Sequence, residues 1–547
     1  MKKSRVGYSL GSALLTALLL APPAHAAGFQ ASAYEDVSVG TVARSSGVAI
    51  GPQLSSVSSA RGARRIPRIR STAAPATSLP QATSASFTAA PAALLESFNG
   101  VSSRDSAVTN FGQEFEPPDQ GLCVGNGFVV EMVNSAYTVY RPNGTVISGP
   151  FNVNGPFDEG LTQFTSDPRC YFDAATHTWF ATMLFINGES SASSLDVAVN
   201  TSGDPTTVWT AYKIDTTGVG GKTGPRHPGC PCFGDQPTLG IDGQNLYVTT
   251  NEFSIVGEQF NGAQIYAIAK KDLVSLSPAL HFAHFANLSI GGSVASSVQP
   301  ALSAGTPSAE FFLSSLDPTG TFDQRIGVWA MTKGALVAKG GKPKLSSLVL
   351  PAEAYGVPPK AEQRGAASLL DAGDDRMQQV QFTGSSVWGE LDTALTIPGD
   401  SAQRAGAAWF QVEPTVAGGV IKSAQMKRQG YVALLGNYLL YPALAVTPSG
   451  TTAMVVAASG KTRFASAAYA TLVPAATSFG PVNIAAPGST SYDPDAERWG
   501  DYSWAVPDPT GTSAWLATEY VPPRSSQTID GVRNWGTRVL DVGTGTG

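Results

Sequence analysis

Two stretches of this chain repeat one pattern: residues 167–173 read Asp-Pro-Arg-Cys-Tyr-Phe-Asp, and residues 235–242 read Asp-Gln-Pro-Thr-Leu-Gly-Ile-Asp. Each is a short, mostly apolar run that begins after Asp and Pro and ends at a turn-forming Asp. A second apolar run follows each copy, at 179–182 and at 246–249. Paired runs bounded by turn formers predict a β-hairpin. The two copies therefore predict two equivalent hairpins.

The same pattern recurs along the rest of the chain. Taking the proline as a reference, equivalent positions occur at Gly121, Pro168, Pro237, Pro300, Gln379, Pro442 and Ser503. Single hairpins are marginally stable, whereas a closed ring of them buries their faces and leaves only short edges. The mean spacing of about 64 residues exceeds the usual 40–50 of a propeller repeat, so loops should carry the excess. The pattern predicts an all-β fold, a seven-bladed β-propeller over 94–547, with a pair of β-sandwiches as the alternative.

The two ends of this repeat region contain strands that belong to no complete copy. The last hairpin, 501–520, is followed by a third apolar run at 535–540, and another apolar run lies at 94–98, before the first copy. A closed ring leaves no large sheet edge unpaired. We therefore expect these two runs to pair and to close the ring.

The first 93 residues differ in composition from the repeat region. Residues 1–26 combine Lys2, Lys3 and Arg5 with an uncharged run and an Ala-His-Ala ending, which predicts a signal peptide. The uncharged run falls short of the roughly 20 apolar residues of a membrane span, and no later run is longer. Residues 27–93 are rich in Ala, Ser and Pro, which predicts a disordered N-terminal extension. It contains an arginine-rich run, 61–70, interpreted as a processing site, a surface-binding arm or a solvated tail.

The net charge of the chain limits the classes of partner that it can bind. The chain of 547 residues has a net charge of −6, and loss of the predicted signal peptide removes three positive charges. Such a balance argues against nucleic acid and anionic lipid as partners. We expect a secreted protein, extracellular or periplasmic, without a transmembrane segment and monomeric.

Four cysteines are present, an even number in a chain expected to be exported, which predicts disulfides. Cys123 and Cys170 both lie two residues after the reference position in consecutive copies, so they should lie side by side and pair. Cys230 and Cys232 would then pair locally. The alternative for His227-Pro-Gly-Cys-Pro-Cys is a zinc or copper site, because imidazole and thiolate are soft ligands.

Several motifs resemble those of a group of secreted bacterial β-propeller proteins. They are Pro-Pro-Asp-Gln-Gly-Leu-Cys-Val-Gly at 117–125, the pattern at 167–173, Arg-Trp-Gly-Asp-Tyr-Ser at 498–503 and Trp-Gly-Thr-Arg at 535–538. The resemblance spans roughly 94–542 and implies the propeller fold. It implies no activity and no catalytic residues.

The strand starts concentrate acidic residues. Asp119, Asp167, Asp235 and Asp501 occupy equivalent positions in four copies. If the first strand of each blade lines the channel, these carboxylates meet at one mouth, and their repulsion raises at least one pKa. Such a set could supply the acid and base of a glycoside hydrolase. The alternatives are capping of backbone N–H groups and coordination of Ca²⁺.

Further candidate binding residues flank these positions. Glu252 and Glu519 stand at the ends of second strands beside aromatic residues. Their parallel placement suggests a structural role, whereas a Glu beside an aromatic residue is also typical of a sugar site. Arg169, Arg498 and Arg538 could hold an anion through bidentate hydrogen bonds, or pair with nearby aspartates.

We therefore predict binding of an extracellular polymer, a carbohydrate, at one channel mouth. The alternatives are a polysaccharide-degrading hydrolase or lyase and a cell-surface interaction scaffold. The chain lacks G-x-S-x-G, H-E-x-x-H and Walker motifs. The run 508–515 departs from the repeated turn of sialidases.

Overall fold

A computed structural model describes residues 31–45, 93–221, 224–316, 322–492, 498–523 and 533–543. Within these ranges strands make up most of the regular secondary structure, and the prediction of an all-β protein is confirmed. Its helices are short: α-helices at Ser103–Thr109 and Lys270–Val274, and 3-10 helices at Gly155–Phe157 and Gly334–Lys339. None of the helices in the described ranges has the length and apolar character needed to cross a membrane.

Most strands in the described ranges fall into seven four-stranded antiparallel groups, here called sheets 1 to 7; four are separate sheets, and sheets 3, 4 and 5 are joined within one 14-stranded sheet. Sheet 1 comprises Gly121–Gly125, Phe128–Val133, Ala136–Tyr140 and Val146–Asn152. Sheet 2 comprises Phe164–Asp173, Thr178–Ile186, Ser193–Asn200 and Thr210–Asp215. Sheet 3 comprises Cys232–Ile241, Asn245–Ser254, Phe260–Ala269 and Ala279–Phe285. Sheet 4 comprises Gln299–Ser303, Glu310–Ser314, Asp323–Thr332 and Lys344–Tyr355.

The remaining groups follow the same plan. Sheet 5 comprises Met377–Thr383, Ser386–Leu395, Arg404–Ala417 and Val420–Val432. Sheet 6 comprises Tyr438–Val446, Thr452–Gly460, Arg463–Leu472 and Asn483–Ala486. Sheet 7 comprises Trp504–Pro507, Ser513–Tyr520, Gly536–Gly543 and Leu94–Ser102. Two short ribbons pair Val219–Gly221 with Gly224–Arg226 and Ser289–Ile290 with Ser293–Val294.

The first strands of the seven sheets form a closed cycle. Each lies beside the first strand of the next sheet, and that of sheet 7 lies beside that of sheet 1. Parallel bridges join sheets 3, 4 and 5, pairing Ile241 with Leu302 and Ala301 with Val380. The first strands of these three sheets therefore start at the same end.

Burial on both faces explains why the strands appear in the sequence as continuous apolar runs. All nine residues of Tyr438–Val446 are buried, as are all nine of Thr452–Gly460. A strand covered on one face would alternate apolar and polar residues, whereas these are covered on both. Neighbouring sheets pack closely here through small side chains such as Ala443, Ala453 and Ala505.

The predicted closure is present. Leu94–Ser102 forms the outer strand of sheet 7 and pairs antiparallel with Gly536–Gly543, with Phe98 opposite Val539. Both predicted disulfides are present as well. Cys123–Cys170 joins the first strands of sheets 1 and 2, and Cys230–Cys232 lies where the first strand of sheet 3 begins.

The prediction that residues 27–93 are disordered is wrong for part of that range. Ser32–Tyr34 pairs with the fourth strand of sheet 4, and Val37–Ala43 pairs with the fourth strand of sheet 3. An outer strand presents unpaired backbone groups, and a segment can pair with them without being rich in apolar residues. Tyr34 also stacks on Trp329, with ring centroids 5.3 Å apart. The predicted signal peptide, 1–26, and the arginine-rich run, 61–70, lie outside the described residues.

Candidate functional site

The four aspartates expected at the strand starts come together in the structure. The pKa of Asp119 is raised well above its usual value, first by burial and then by the charges of Asp501 and Asp167. Burial and the charge of Asp167 likewise raise the pKa of Asp235. Carboxyls on sheets 1, 2, 3 and 7 thus influence one another. We call these four residues the aspartate cluster.

Most of this cluster is buried, which the sequence did not lead us to expect. Asp119, Asp167 and Asp235 are 1%, 3% and 4% exposed. The expectation that the carboxylates meet at one channel mouth did not include this burial, in which side chains such as Asn134 and Tyr502 engage Asp119 and Asp167. Asp501 differs, since its side chain keeps 15% of its surface exposed.

Asn134, at the end of the second strand of sheet 1, links two members of the cluster. Its side-chain Nδ2 donates to Asp119 Oδ2 at 2.8 Å, and its Oδ1 accepts from the backbone N–H of Asp167 at 2.8 Å. Nδ2 also donates to the carbonyl of Pro117 at 2.9 Å. Asn134 therefore fixes the start of sheet 2 against the start of sheet 1.

This link belongs to a repeated arrangement. A non-glycine residue with positive φ stands near the start of the first strand in several sheets, a strained backbone that needs support from its surroundings. In four cases a side chain of the preceding sheet accepts a hydrogen bond from that residue's N–H. The pairs are Asn134 with Asp167, Asp167 with Gln236, Asn251 with Ser297, and Asp392 with Tyr441. Backbone capping thus operates here, but between sheets rather than within one turn.

Arg169 provides the positive charge inside the cluster. It is 1% exposed, and its guanidinium carbon lies 3.0 Å from the ring centroid of Tyr502 and 4.7 Å from that of Trp504. Nη1 donates to the carbonyl of Gln120 at 3.1 Å. The Tyr502 hydroxyl donates to Asp167 Oδ1 at 3.1 Å. This arginine therefore compensates buried carboxylates and cannot reach a ligand in solution.

Two ion pairs at the cluster retain contact with solvent. Arg498 pairs with Asp501, and Arg376 holds Asp374 through two hydrogen bonds of 2.7 Å. Side-chain exposure in these pairs ranges from 11% to 20%. The charge of Asp501 is among those that raise the pKa of Arg376, so the two ion pairs are close enough to interact. Arg376 also donates to the side chain of Gln236.

The other predicted binding residues divide into two groups. Glu519 is buried beside the cluster, and its pKa is raised by burial and then by Asp119. Arg538 lies elsewhere, where its guanidinium donates to Ser97 and Asn99 on the closing strand of sheet 7. The side chain of Glu252 is engaged by His227, although its backbone pairs with Gly234, next to Asp235. Among the residues that the structure describes, neither Arg538 nor Glu252 hydrogen-bonds a cluster carboxylate.

Calcium coordination by the aspartate cluster is not favoured. Within the described ranges, one group of three His, Cys, Asp or Glu side chains brings its ligand atoms within 4.8 Å of one another, and it contains none of these aspartates. It consists of Cys230, Cys232 and Glu252.

Sequence reasoning missed three important members of the site, Arg376, Tyr502 and Asn134. A signal existed for Arg376, because the fifth copy of the pattern begins with a displaced Asp-Asp-Arg at 374–376. Tyr502 directly follows Asp501 in the motif at 498–503. No pattern marked Asn134, whose role depends on the geometry between two sheets.

No protein-family profile and no curated protein matches this chain. Solved structures with some likeness include an alpha-L-arabinofuranosidase from Fusarium graminearum, at 11% identity, covering 81% of this chain and 98% of that chain with a TM-score of 0.36. Trypanosoma rangeli sialidase aligns at 8% identity over 77% of this chain and 59% of that chain, with a TM-score of 0.35. Drosophila Semaphorin 1b aligns at 9% identity over 83% and 87%, with a TM-score of 0.30. Likeness this low assigns no function to the chain.

Proposed function

We propose that this chain is a secreted seven-bladed β-propeller, each sheet being one blade, that binds a neutral extracellular carbohydrate polymer beside Asp501. One observation supports the location: Asp501 pairs with Arg498 and its charge also acts on Arg376, and these partly exposed side chains border a buried charged network. Planar carboxylate and guanidinium groups held in place offer paired acceptors and donors to the adjacent hydroxyls of a sugar. Buried partners keep them oriented, which lowers the entropy cost of binding.

The charge balance favours a neutral ligand. Carboxyls at the site outnumber guanidiniums, since the aspartate cluster and Asp374 face Arg169, Arg376 and Arg498. The two partly exposed guanidiniums are already paired with Asp374 and Asp501, so a uronic acid polymer or a nucleic acid would have to displace those carboxylates. A hydroxyl-rich neutral chain needs only hydrogen bonds.

Hydrolysis is the second candidate, because buried carboxyls with raised pKa are what a general acid requires. The pKa values of Asp119 and Asp167 are raised by burial. However, a general acid must come within about 3 Å of the bond that it cleaves. Asp119 and Asp167 are enclosed and engaged by Asn134 and Tyr502, so binding is favoured over catalysis. A scaffold without convergent titratable groups is disfavoured by the cluster itself.

A glycan array combined with a reducing-end assay tests this function. We expect the wild type to bind neutral glycans and release no reducing ends. Arg498→Ala and Arg376→Ala should each weaken binding at least about tenfold, which corresponds to 1.4 kcal/mol. Lys427→Ala is the matched control, because Lys427 forms an ion pair with Glu413 on an exposed surface. Absence of binding to every glycan, or binding insensitive to both arginine substitutions, would contradict the proposal. Release of reducing ends that Asp167→Asn abolishes would instead establish the hydrolase.

A further inference from the structure

A second group of chemically active side chains lies at sheet 3, apart from the aspartate cluster. Cys230 and Cys232 flank Pro231 where the first strand of sheet 3 begins, and Glu252 lies near the end of the adjoining second strand. Cys232 is fully buried, while Cys230 and Glu252 are 6% and 2% exposed. Their sulfur and carboxylate oxygen atoms lie within 4.8 Å of one another.

His227 lies beside this group and contacts its carboxylate. Its Nδ1 lies 2.8 Å and 2.9 Å from the two carboxylate oxygens of Glu252. His227 is buried, and its Nε2 makes no hydrogen bond to any residue in the described part of the chain. Two sulfurs and one carboxylate oxygen supply three of the four ligands of a tetrahedral zinc, and His227 orients the carboxylate from outside this set.

The hydrogen-bond acceptors around the side chain of Asn261 outnumber the hydrogens that its amide can donate. The side-chain Nδ2 of Asn261 lies 2.8 Å from Glu252 Oε1, 3.0 Å from the Pro228 carbonyl oxygen, and 3.8 Å and 3.7 Å from the sulfurs of Cys230 and Cys232. One amide has two hydrogens for these four acceptors. The surroundings therefore favour an additional positive charge, most strongly when both sulfurs are thiolates.

The local disulfide contributes little to the stability of the fold. The stabilisation from a disulfide grows with the number of residues that it encloses. Cys230 and Cys232 are two positions apart, whereas Cys123 and Cys170 are 47 apart. The small loop and the ring of ligands around it point to a chemical role for the pair.

We propose that Cys230, Cys232 and Glu252 form a redox-gated site for one thiophilic divalent cation, closed as the disulfide and opened by a dithiol reductant. The reductant transfers two electrons and two protons, so that the S–S bond breaks and two thiols form while the reductant becomes a disulfide. Binding of the cation displaces both thiol protons to solvent. Glu252 then supplies the third protein ligand, His227 holds that carboxylate in place, and Asn261 donates hydrogen bonds to the thiolates.

Cobalt binding to the intact chain under two redox conditions tests the site. Native protein is treated with dithiothreitol, the reductant is removed anaerobically, and Co²⁺ is titrated while the thiolate-to-cobalt charge-transfer absorption is recorded. Peptide mapping should show Cys123–Cys170 still oxidised, because both of its cysteines are 0% exposed. We expect one Co²⁺ per reduced chain, displaced by Zn²⁺, and at least 100-fold weaker binding by the oxidised chain. Equal binding in both redox states, or no binding after reduction, would overturn the proposal.

Two substitutions identify the ligands. Glu252→Gln should weaken Co²⁺ binding at least tenfold, whereas Glu258→Gln, a control at an exposed residue of the same hairpin, should leave it unchanged. The double substitution Cys230→Ser with Cys232→Ser should abolish the charge-transfer absorption, with circular dichroism confirming the fold. If that double variant fails to fold, the two redox states of the wild type still decide the outcome. Wild-type affinity in Glu252→Gln would refute the proposed ligand set.

Discussion

The strand starts of sheets 1 and 2 and those of sheets 5 and 7 carry the same kinds of side chain in different surroundings. At sheets 1 and 2, Asp119, Asp167 and Arg169 are at most 3% exposed and contact strand backbone or aromatic rings. At sheets 5 and 7, the pairs of Arg376 with Asp374 and Arg498 with Asp501 keep between 11% and 20% of each side chain exposed. An equivalent position in a repeat therefore does not imply an equivalent role. The buried set holds neighbouring sheets together, and the exposed pairs are the ones that can meet a ligand.

Replacing Arg169 with Met should have the largest effect on stability. The substitution removes the guanidinium that lies over Tyr502 and leaves the buried Asp167 and Asp119 with less compensating charge. Loss of one partner from a buried charged group costs about 3–5 kcal/mol. The free energy of unfolding obtained from urea denaturation should fall by that amount. A loss below about 1 kcal/mol would mean that Arg169 does not compensate the buried carboxylates.

Glu131 should make the free energy of unfolding change with pH by about 2–4 kcal/mol. Burial raises its pKa to about 7 in the folded state, while an unfolded glutamate titrates near 4.3. Its Oε2 accepts a hydrogen bond from the N–H of Val101, a residue of the closing strand of sheet 7, at 2.7 Å. The neutral form favours the folded state, so this contribution is complete below about pH 4 and is lost as the pH rises through 7.

Glu131→Gln provides the comparison, since glutamine does not titrate and keeps the acceptor. We expect the wild type to lose more stability than this variant between pH 4 and pH 8, measured by urea denaturation at each pH. Parallel stability profiles for the two proteins would show that Glu131 is not protonated in the folded state.

The strands and the closure could be predicted from the sequence, because both depend on local patterns. The runs that follow Asp167 and Asp235 are apolar since their strands are buried on both faces, and the copies reveal themselves by repetition. The Cys123–Cys170 disulfide followed from matching positions in two copies. In each case the signal lies within one repeat or in the comparison of two.

Exposure could not be predicted in the same way. Asp167 and Asp501 occupy equivalent positions, yet enclosure of Asp167 depends on Asn134 of one sheet and Tyr502 of another. Those contacts join residues that are far apart in the chain. The strand Val37–Ala43 was missed for a related reason, since it is held by backbone pairing with sheet 3 and needs no apolar pattern.

Asn134→Ala should lower the free energy of unfolding by about 2 kcal/mol. It removes the donor to Asp119 and the acceptor for the Asp167 N–H, leaving buried polar groups without these partners. Asn251 is the matched control, because it caps Ser297 in the same way while its Nδ2 donates to the Ser297 hydroxyl rather than to a cluster carboxylate. Asn251→Ala should cost about 1 kcal/mol. Equal losses in the two variants, measured by urea denaturation, would show that the carboxylate contact adds nothing.

Arg498→Met should have the smallest effect on stability, although it also removes a guanidinium from the neighbourhood of the aspartate cluster. The Arg498 side chain is 20% exposed, so water can solvate Asp501 after the substitution. We expect the free energy of unfolding to fall by about 1 kcal/mol or less, which is smaller than the loss in Arg169→Met. Glycan binding should weaken as well, as expected when Arg498 is removed. The two methionine variants should therefore separate the roles, since one affects mainly the fold and the other mainly the ligand. If Arg498→Met destabilised the protein as strongly as Arg169→Met, the exposed pair would belong to the structural set, and the ligand would have to meet Arg376 and Asp374 alone.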